Sequence, residues 1–287
     1  MMKYIVLLMV ILVFPTAAKE NCFPESDLVF SAYEKSSGNI SEFEFNQIID
    51  RFTKVWSPFI KKNFGKKLIV EGRWTEAKVN AHATRDQKKN PVIVLLGGMA
   101  RHPEMTKDGL VFILCHELGH HLGGAPKKFR GGSNKRSWSS AEGQADYFAA
   151  TKCMRKVFEN HFETPFLPMY YSDEEVRSTE RFCMDEECKK TLLAGLSVSR
   201  VFSSLRMGSV EPSLIIRNGQ SVGQTNYKHP DPQCRLETVI SGAQCDLGIE
   251  YPFDDSKADV GACVAREGDK ASMEGARPRC WFAPSKY

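Results

Sequence analysis

Phe45, Ile48, Ile49, Phe52, Val55 and Trp56 recur every three or four positions behind Ser41 and Glu44. That period puts the apolar side chains on one helix face, and Ser41 with Glu44 has the spacing of a capping box at its start. An amphipathic helix is therefore predicted from there to about residue 58, with a possible run to 64. The period then changes. Residues 67–74 and 91–97 are short and rich in β-branched side chains, with Val92, Ile93, Val94, Leu95 and Leu96 unbroken in the second, and both predict strands. Residues 108–123 return to helix, closed by Gly123-Gly124 with Pro126 just beyond. Further helices are predicted over 139–158, 187–207 and 231–243. Residues 127–137, basic and glycine-rich, read as a solvated loop with the option of acting as a lid. The pattern is α+β: mostly helical, with a small β-sheet.

The N-terminus has a different pattern. Lys3 precedes an apolar run from residue 4 to 14, followed by Pro15-Thr16-Ala17-Ala18. A positive start, a brief apolar core and small residues describe a secretory signal peptide, with cleavage expected after Ala18. The run is short for a permanent bilayer span, and no later stretch matches its hydrophobicity, so no stable membrane insertion is expected after cleavage. The predicted division is a signal peptide over 1–18, a main domain over 19–245 and a Cys-containing extension over 246–287. A net charge of +4 with 26% charged residues lacks the concentrated basic stripe of a nucleic-acid binder.

Nine cysteines suit an exported protein, periplasmic or secreted: Cys22, Cys115, Cys153, Cys183, Cys188, Cys234, Cys245, Cys263 and Cys280. Cys115 lies in an apolar run and is expected to be a buried free thiol. The other eight suffice for four disulfides, and Cys263 with Cys280 is the expected pair in the tail. The absence of paired CxxC spacing argues against a cysteine-built second zinc site.

The chemistry centres on His116-Glu117-Leu118-Gly119-His120. Two histidines four apart stand one above the other on a helix, so both imidazoles can reach one metal ion. The carboxylate beside the first is placed to hold and deprotonate a metal-bound water. A catalytic zinc commonly takes three protein ligands. One way to complete the set is a third histidine six residues after the second, but Pro126 stands there. Glu142 is the alternative. It opens the next predicted helix twenty-two residues after His120, and Asp146, four further on, shares its face. Asp146 could accept the free ring N–H of a ligating histidine and fix its tautomer.

Residues 111–149 resemble the CAAX prenyl protease and HtpX-like family of zinc metallopeptidases, in which HExxH is completed by a glutamate in an E-x-x-A-D motif. Glu142-Gly143-Gln144-Ala145-Asp146 matches that motif. Val79-Asn80-Ala81-His82-Ala83 resembles the family's segment before its active-site edge strand, and His229-Pro230 with Arg235 resembles its H-P…R motif. The resemblance implies a zincin-like fold whose edge strand borders the cleft, one zinc ion per chain on His116, His120 and Glu142, and Glu117 as general base. It also implies that Asn80 contacts substrate and that His229 and Arg235 face the reaction centre. Family members are often membrane-embedded, so a soluble exported relative fits this chain better.

The expected activity is that of a zinc metalloendopeptidase acting on extended or unfolded polypeptides. Residues 92–96 are the expected exposed edge to which substrate adds as a strand. His229, with Arg235 near it, would stabilise the oxyanion. The alternatives are a non-catalytic peptide-binding or chaperone-like protein with a structural zinc, and a zinc amidase acting on cell-wall peptides. His121 points about 100° away from His120 around the helix and is not expected to ligate. Nor are His82, His102 and His161, although His82 could line the cleft.

Overall fold

The computed structural model describes residues 20–21, 27–33, 40–130, 134–160, 170–206, 208–216, 219–264 and 275–284, with Glu20 and Asn21 described by backbone alone. The predicted signal peptide, Cys22 and His161 lie outside these residues. The first long element, helix α1 (Glu42–Phe64), starts where its capping signals place it. Ser41 Oγ accepts the Glu44 N–H at 3.3 Å, and Glu44 Oε2 accepts the Ser41 N–H at 2.9 Å. Gly65, at φ 63°, takes the left-handed conformation that ends the helix. The buried face carries Phe45, Ile48, Ile49, Phe52 and Trp56, as the period requires.

Four strands form the main sheet: β1 (Glu20–Asn21), β2 (Ile69–Arg73), β3 (Ala81–Arg85) and β4 (Pro91–Leu96), in the order β1-β3-β4-β2. β4 runs antiparallel to β3 and parallel to β2, so it is flanked on both sides. This corrects the expectation that residues 92–96 form an exposed edge. All six β4 side chains are buried, and an unbroken apolar run is what a strand covered on both faces requires. β3 lies nearer the margin, and its outer side pairs with β1 at His82 and Ala83.

Strand β4 stops at Leu96, where the chain turns into the short helix α2 (Gly97–Ala100). A Cβ on Gly97 would lie 1.9 Å from the Trp74 carbonyl oxygen, and one on Gly98 would lie 1.9 Å from that of Ala77. Only glycine permits so close a backbone crossing. Helix α3 (Lys107–Leu122) follows, capped by Thr106 Oγ1 on the Gly109 N–H. Every residue from Gly109 to His121 is buried, so this helix runs through the centre of the molecule with neighbours all round.

The predicted loop after α3 is instead an antiparallel hairpin, β5 (Lys127–Phe129) and β6 (Arg136–Ser140). Its arms are short and polar, which is why composition alone reads as loop. The helix predicted from residue 139 accordingly begins later, as α4 (Glu142–Phe148), passes through a π-helical turn (Ala149–Cys153) and ends as α5 (Met154–Glu159). The short α6 (Asp173–Thr179), with its own capping box, was not predicted. α7 (Glu186–Ser204) and α8 (Pro232–Gln244) lie close to their predicted bounds. α4 and α7 pack on α3, and α8 packs on α4 and α7. The main core joins Phe52 and Trp56 of α1, Leu110 and Phe112 of α3, Phe148 of α4 and Phe202 of α7.

Four disulfides are present among the described residues: Cys115–Cys153, Cys183–Cys188, Cys234–Cys280 and Cys245–Cys263. Two expectations are thereby corrected. Cys115 is not a free thiol, because α3 and the π-helical turn pack together and bring Cys153 to it. Cys263 and Cys280 do not pair with each other. Each instead ties the tail back to α8 or its end, where Cys234 and Cys245 lie. The tail is built in further by Trp281, which is completely buried against Gly143. No helix among the described residues is long and apolar enough to cross a membrane.

Candidate metal centre

Helix geometry sets the first two groups. His116 and His120, one turn apart on α3, bring their ring centroids to 4.8 Å. Glu142 arrives from the first turn of α4, which packs across α3 at Gly119, where an added Cβ would lie 2.8 Å from the Ala145 carbonyl oxygen. His116, His120 and Glu142 are all completely buried, and their ligand atoms lie within 4.8 Å of one another. This group could hold a metal ion. His116 Nε2 is 3.2 Å from Glu142 Oε2, and His120 Nε2 is 3.7 Å from Glu142 Oε1. Ligand atoms around a tetrahedral ion with bonds of about 2.0–2.1 Å would stand about 3.3 Å apart, so the spacing fits.

The remaining ring atoms are already engaged. His116 Nδ1 is 2.7 Å from Asp146 Oδ1. His120 Nδ1 is 3.0 Å from the Ser140 carbonyl and 3.1 Å from Ser139 Oγ. At His116 Nδ1 the Asp146 carboxylate is nearer than the Arg235 guanidinium nitrogen, which lies 3.2 Å away. An acceptor at each Nδ1 thus places the proton there and leaves the Nε2 lone pair facing the group, the tautomer that a metal needs. His120 Nε2 has no hydrogen-bond partner among the described residues. Burial in a dry interior without such a partner is costly unless a ligand supplies one. Burial also holds the His120 imidazole well below its ordinary range, hence neutral.

The acids respond to their neighbours. Burial alone would push the Glu142 carboxyl up, but the charges beside it, that of Lys128 first, hold it well below the usual carboxylate range. For Asp146, burial is likewise opposed by Arg235 and His116, and the carboxyl is again lowered. Both therefore stand ionised.

The other expected residues fall in different places. Glu117 is completely buried on α3 beside His116. His229 reaches the group directly, its Nε2 3.4 Å from Glu142 Oε1. Arg235, from α8, is buried and sets one guanidinium nitrogen 2.5 Å from Asp146 Oδ1, with its charge 3.4 Å above the Phe202 ring. Its closest polar partner is thus the carboxylate that orients His116. Asn80 is buried at the start of β3, where its Oδ1 accepts the Ala81 N–H at 2.8 Å. His121 stacks on Trp138 at 4.7 Å, and burial pushes its imidazole down to about 3.

Sequence reasoning missed Lys128. It projects from β5 and donates to Glu142 Oε1 at 2.7 Å. The residue was visible only as one cation among five in the 127–137 stretch, and its selection depends on a hairpin that the composition concealed. A second group of possible ligand atoms, Cys245, Asp246 and Cys263, has both sulfurs engaged in a disulfide. No protein-family model matches this chain, and no curated protein or solved structure matches it either.

Proposed function

We propose that the protein is an exported zinc metalloendopeptidase, similar in its site to the CAAX prenyl protease and HtpX-like family, that cleaves extended or unfolded polypeptides. One observation carries the reading: a completely buried His116, His120 and Glu142 group whose outer ring atoms are held in the ligating tautomer, with Glu117 on the same helix. A structural metal has no use for a carboxylate in that position. Two nitrogen ligands and one carboxylate oxygen match a catalytic zinc set with an open position. Zinc bound there would lower the pKa of a water toward about 7 and polarise the scissile carbonyl.

The chain's own residues supply the rest. Glu117 takes the proton of the attacking water and delivers it to the leaving amine. His229 and Lys128, both at the Glu142 edge, offer donors to the oxyanion. Arg235 is a positioning residue: one guanidinium nitrogen holds Asp146 Oδ1 and also lies 3.2 Å from His116 Nδ1. A substrate adding as a strand would lie along β3 and compete with β1 for its outer side. Four disulfides and the signal-like N-terminus support export.

The test is Glu117→Gln, purified with full metal content and assayed on denatured casein. Loss of the general base should lower kcat by about 10²-fold or more. Cleavage at the wild-type rate would overturn the assignment. Wild-type protein that binds casein without cleaving it would point to the chaperone-like alternative.

A further inference from the structure

A cavity of about 380 Å³ is lined by none of the three metal-group residues, although His121, next to His120 on α3, is in its wall. Its apolar lining comes from several elements: Phe59 and Phe64 from α1, Leu122 from the end of α3, Phe148 from α4, and Ile249 and Phe253 from the C-terminal segment. That volume is in the range of small-molecule sites, about 300–1,000 Å³.

Its polar lining is unusual in sign. Lys66, Arg85, Lys89 and Lys152 contribute four cations, against a single carboxylate, Asp255, and the neutral ring of His121. Asp255 already pairs with Lys127 Nζ at 2.7 Å. Lys152 is also engaged, donating to the carbonyls of Leu247, Gly248 and Tyr251 at 2.9, 2.8 and 2.7 Å. The remaining cations gather around the turn between β3 and β4. Lys66 Nζ donates to the Lys88 carbonyl at 2.9 Å, Lys89 is in that turn, and Arg85 ends β3. The Arg85 guanidinium stacks over Trp138 at 4.6 Å, and its buried Nε has no hydrogen-bond partner among the described residues.

A ligand for this site needs an apolar body and an anionic end that only accepts hydrogen bonds. A peptide fits poorly, because its N–H groups would need acceptors and the lining side chains offer only the Asp255 carboxylate and one nitrogen of the neutral His121 ring against four cations. We propose that the cavity binds a fatty carboxylate, with its hydrocarbon chain between α1, α3 and the C-terminal segment and its carboxylate on Arg85 and Lys89. The site stands independently of the peptidase reading, since no metal-group residue takes part.

Calorimetric titration of the purified protein with dodecanoate, kept below its micelle concentration, tests this. Saturable binding of one dodecanoate per chain is expected. Dodecyltrimethylammonium, with the same chain and the opposite charge, should bind at least about tenfold more weakly. The double variant Arg85→Gln/Lys89→Gln should lose about tenfold in dodecanoate affinity with its melting curve unchanged. The proposal is overturned if dodecanoate does not saturate, if the ammonium binds equally well, or if the double variant binds like wild type. It is also overturned if an apolar peptide with a free C-terminus binds more tightly than dodecanoate. Because the ligand series uses unmodified protein, the test survives a variant that fails to fold.

Discussion

Cys115 and His116 are neighbours on one helix, and each ties α3 to the same following run of helix by different means. On one face a covalent bond joins Cys115 to Cys153 in the π-helical turn. On another, His116 meets Glu142 and Asp146 of α4 through contacts of 3.2 and 2.7 Å. The disulfide needs no ligand and no particular pH. The polar tie gathers two carboxylates, two imidazoles and a guanidinium in the buried interior, where an incomplete set would be costly. The first fixes where α4 lies. The second fixes what it can hold.

Breaking each tie separately should distinguish them. Cys115→Ala/Cys153→Ala opens a loop of 38 residues and should cost about 3–4 kcal/mol of stability by chain-entropy arguments. Urea unfolding measures the loss, and metal affinity of the folded variant should stay within about threefold of wild type. A much larger fall in affinity would mean that the disulfide also shapes the metal group. Asp146→Asn should do the reverse. By weakening the grip on His116 Nδ1 it should reduce metal affinity about 10- to 100-fold, read by competition with a chromogenic chelator. Unchanged affinity would remove Asp146 and Arg235 from any positioning role.

A third histidine separates the acid response of the scaffold from that of the metal group. Burial pushes His102 down to about 4. Its Nδ1 accepts the Glu104 N–H at 3.1 Å and its Nε2 lies 2.9 Å from Ser204 Oγ, so both ring atoms are satisfied only in the neutral form. The unfolded chain binds a proton on this ring below about pH 6.5 while the folded chain does not. Stability therefore falls as pH drops from about 6.5 to 4, by at most about 1.4 kcal/mol per pH unit. His102→Asn, compared with wild type in chelator, should flatten that slope; an unaltered slope would show that the ring titrates normally.

Much of this arrangement was legible in the residues. The HExxH spacing, the helical distance from Glu142 to Asp146 and the capping box of Ser41 and Glu44 are local patterns with local causes, and they placed helices and the metal group together. Strand order was not legible, because the flanking of β4 by β2 and β3 depends on contacts between distant segments. The β5–β6 hairpin escaped for the opposite reason. Its residues are polar and glycine-rich, and tertiary pairing overrides a composition that reads as loop. Lys128 was lost with it. The pairing of Cys115 was misread because an apolar setting suits a buried thiol and a buried disulfide equally well.

The seat of Trp281 over Gly143 has a consequence for the order of synthesis. Every member of the metal group has been translated by residue 142, and its positioning partners by residue 235. Yet the indole that backs the first turn of α4, and Cys280 beside it, come far later in the sequence than any ligand, at positions 281 and 280. A chain made from its N-terminus thus carries its ligands long before it carries their support, and the site cannot mature until that support has been made.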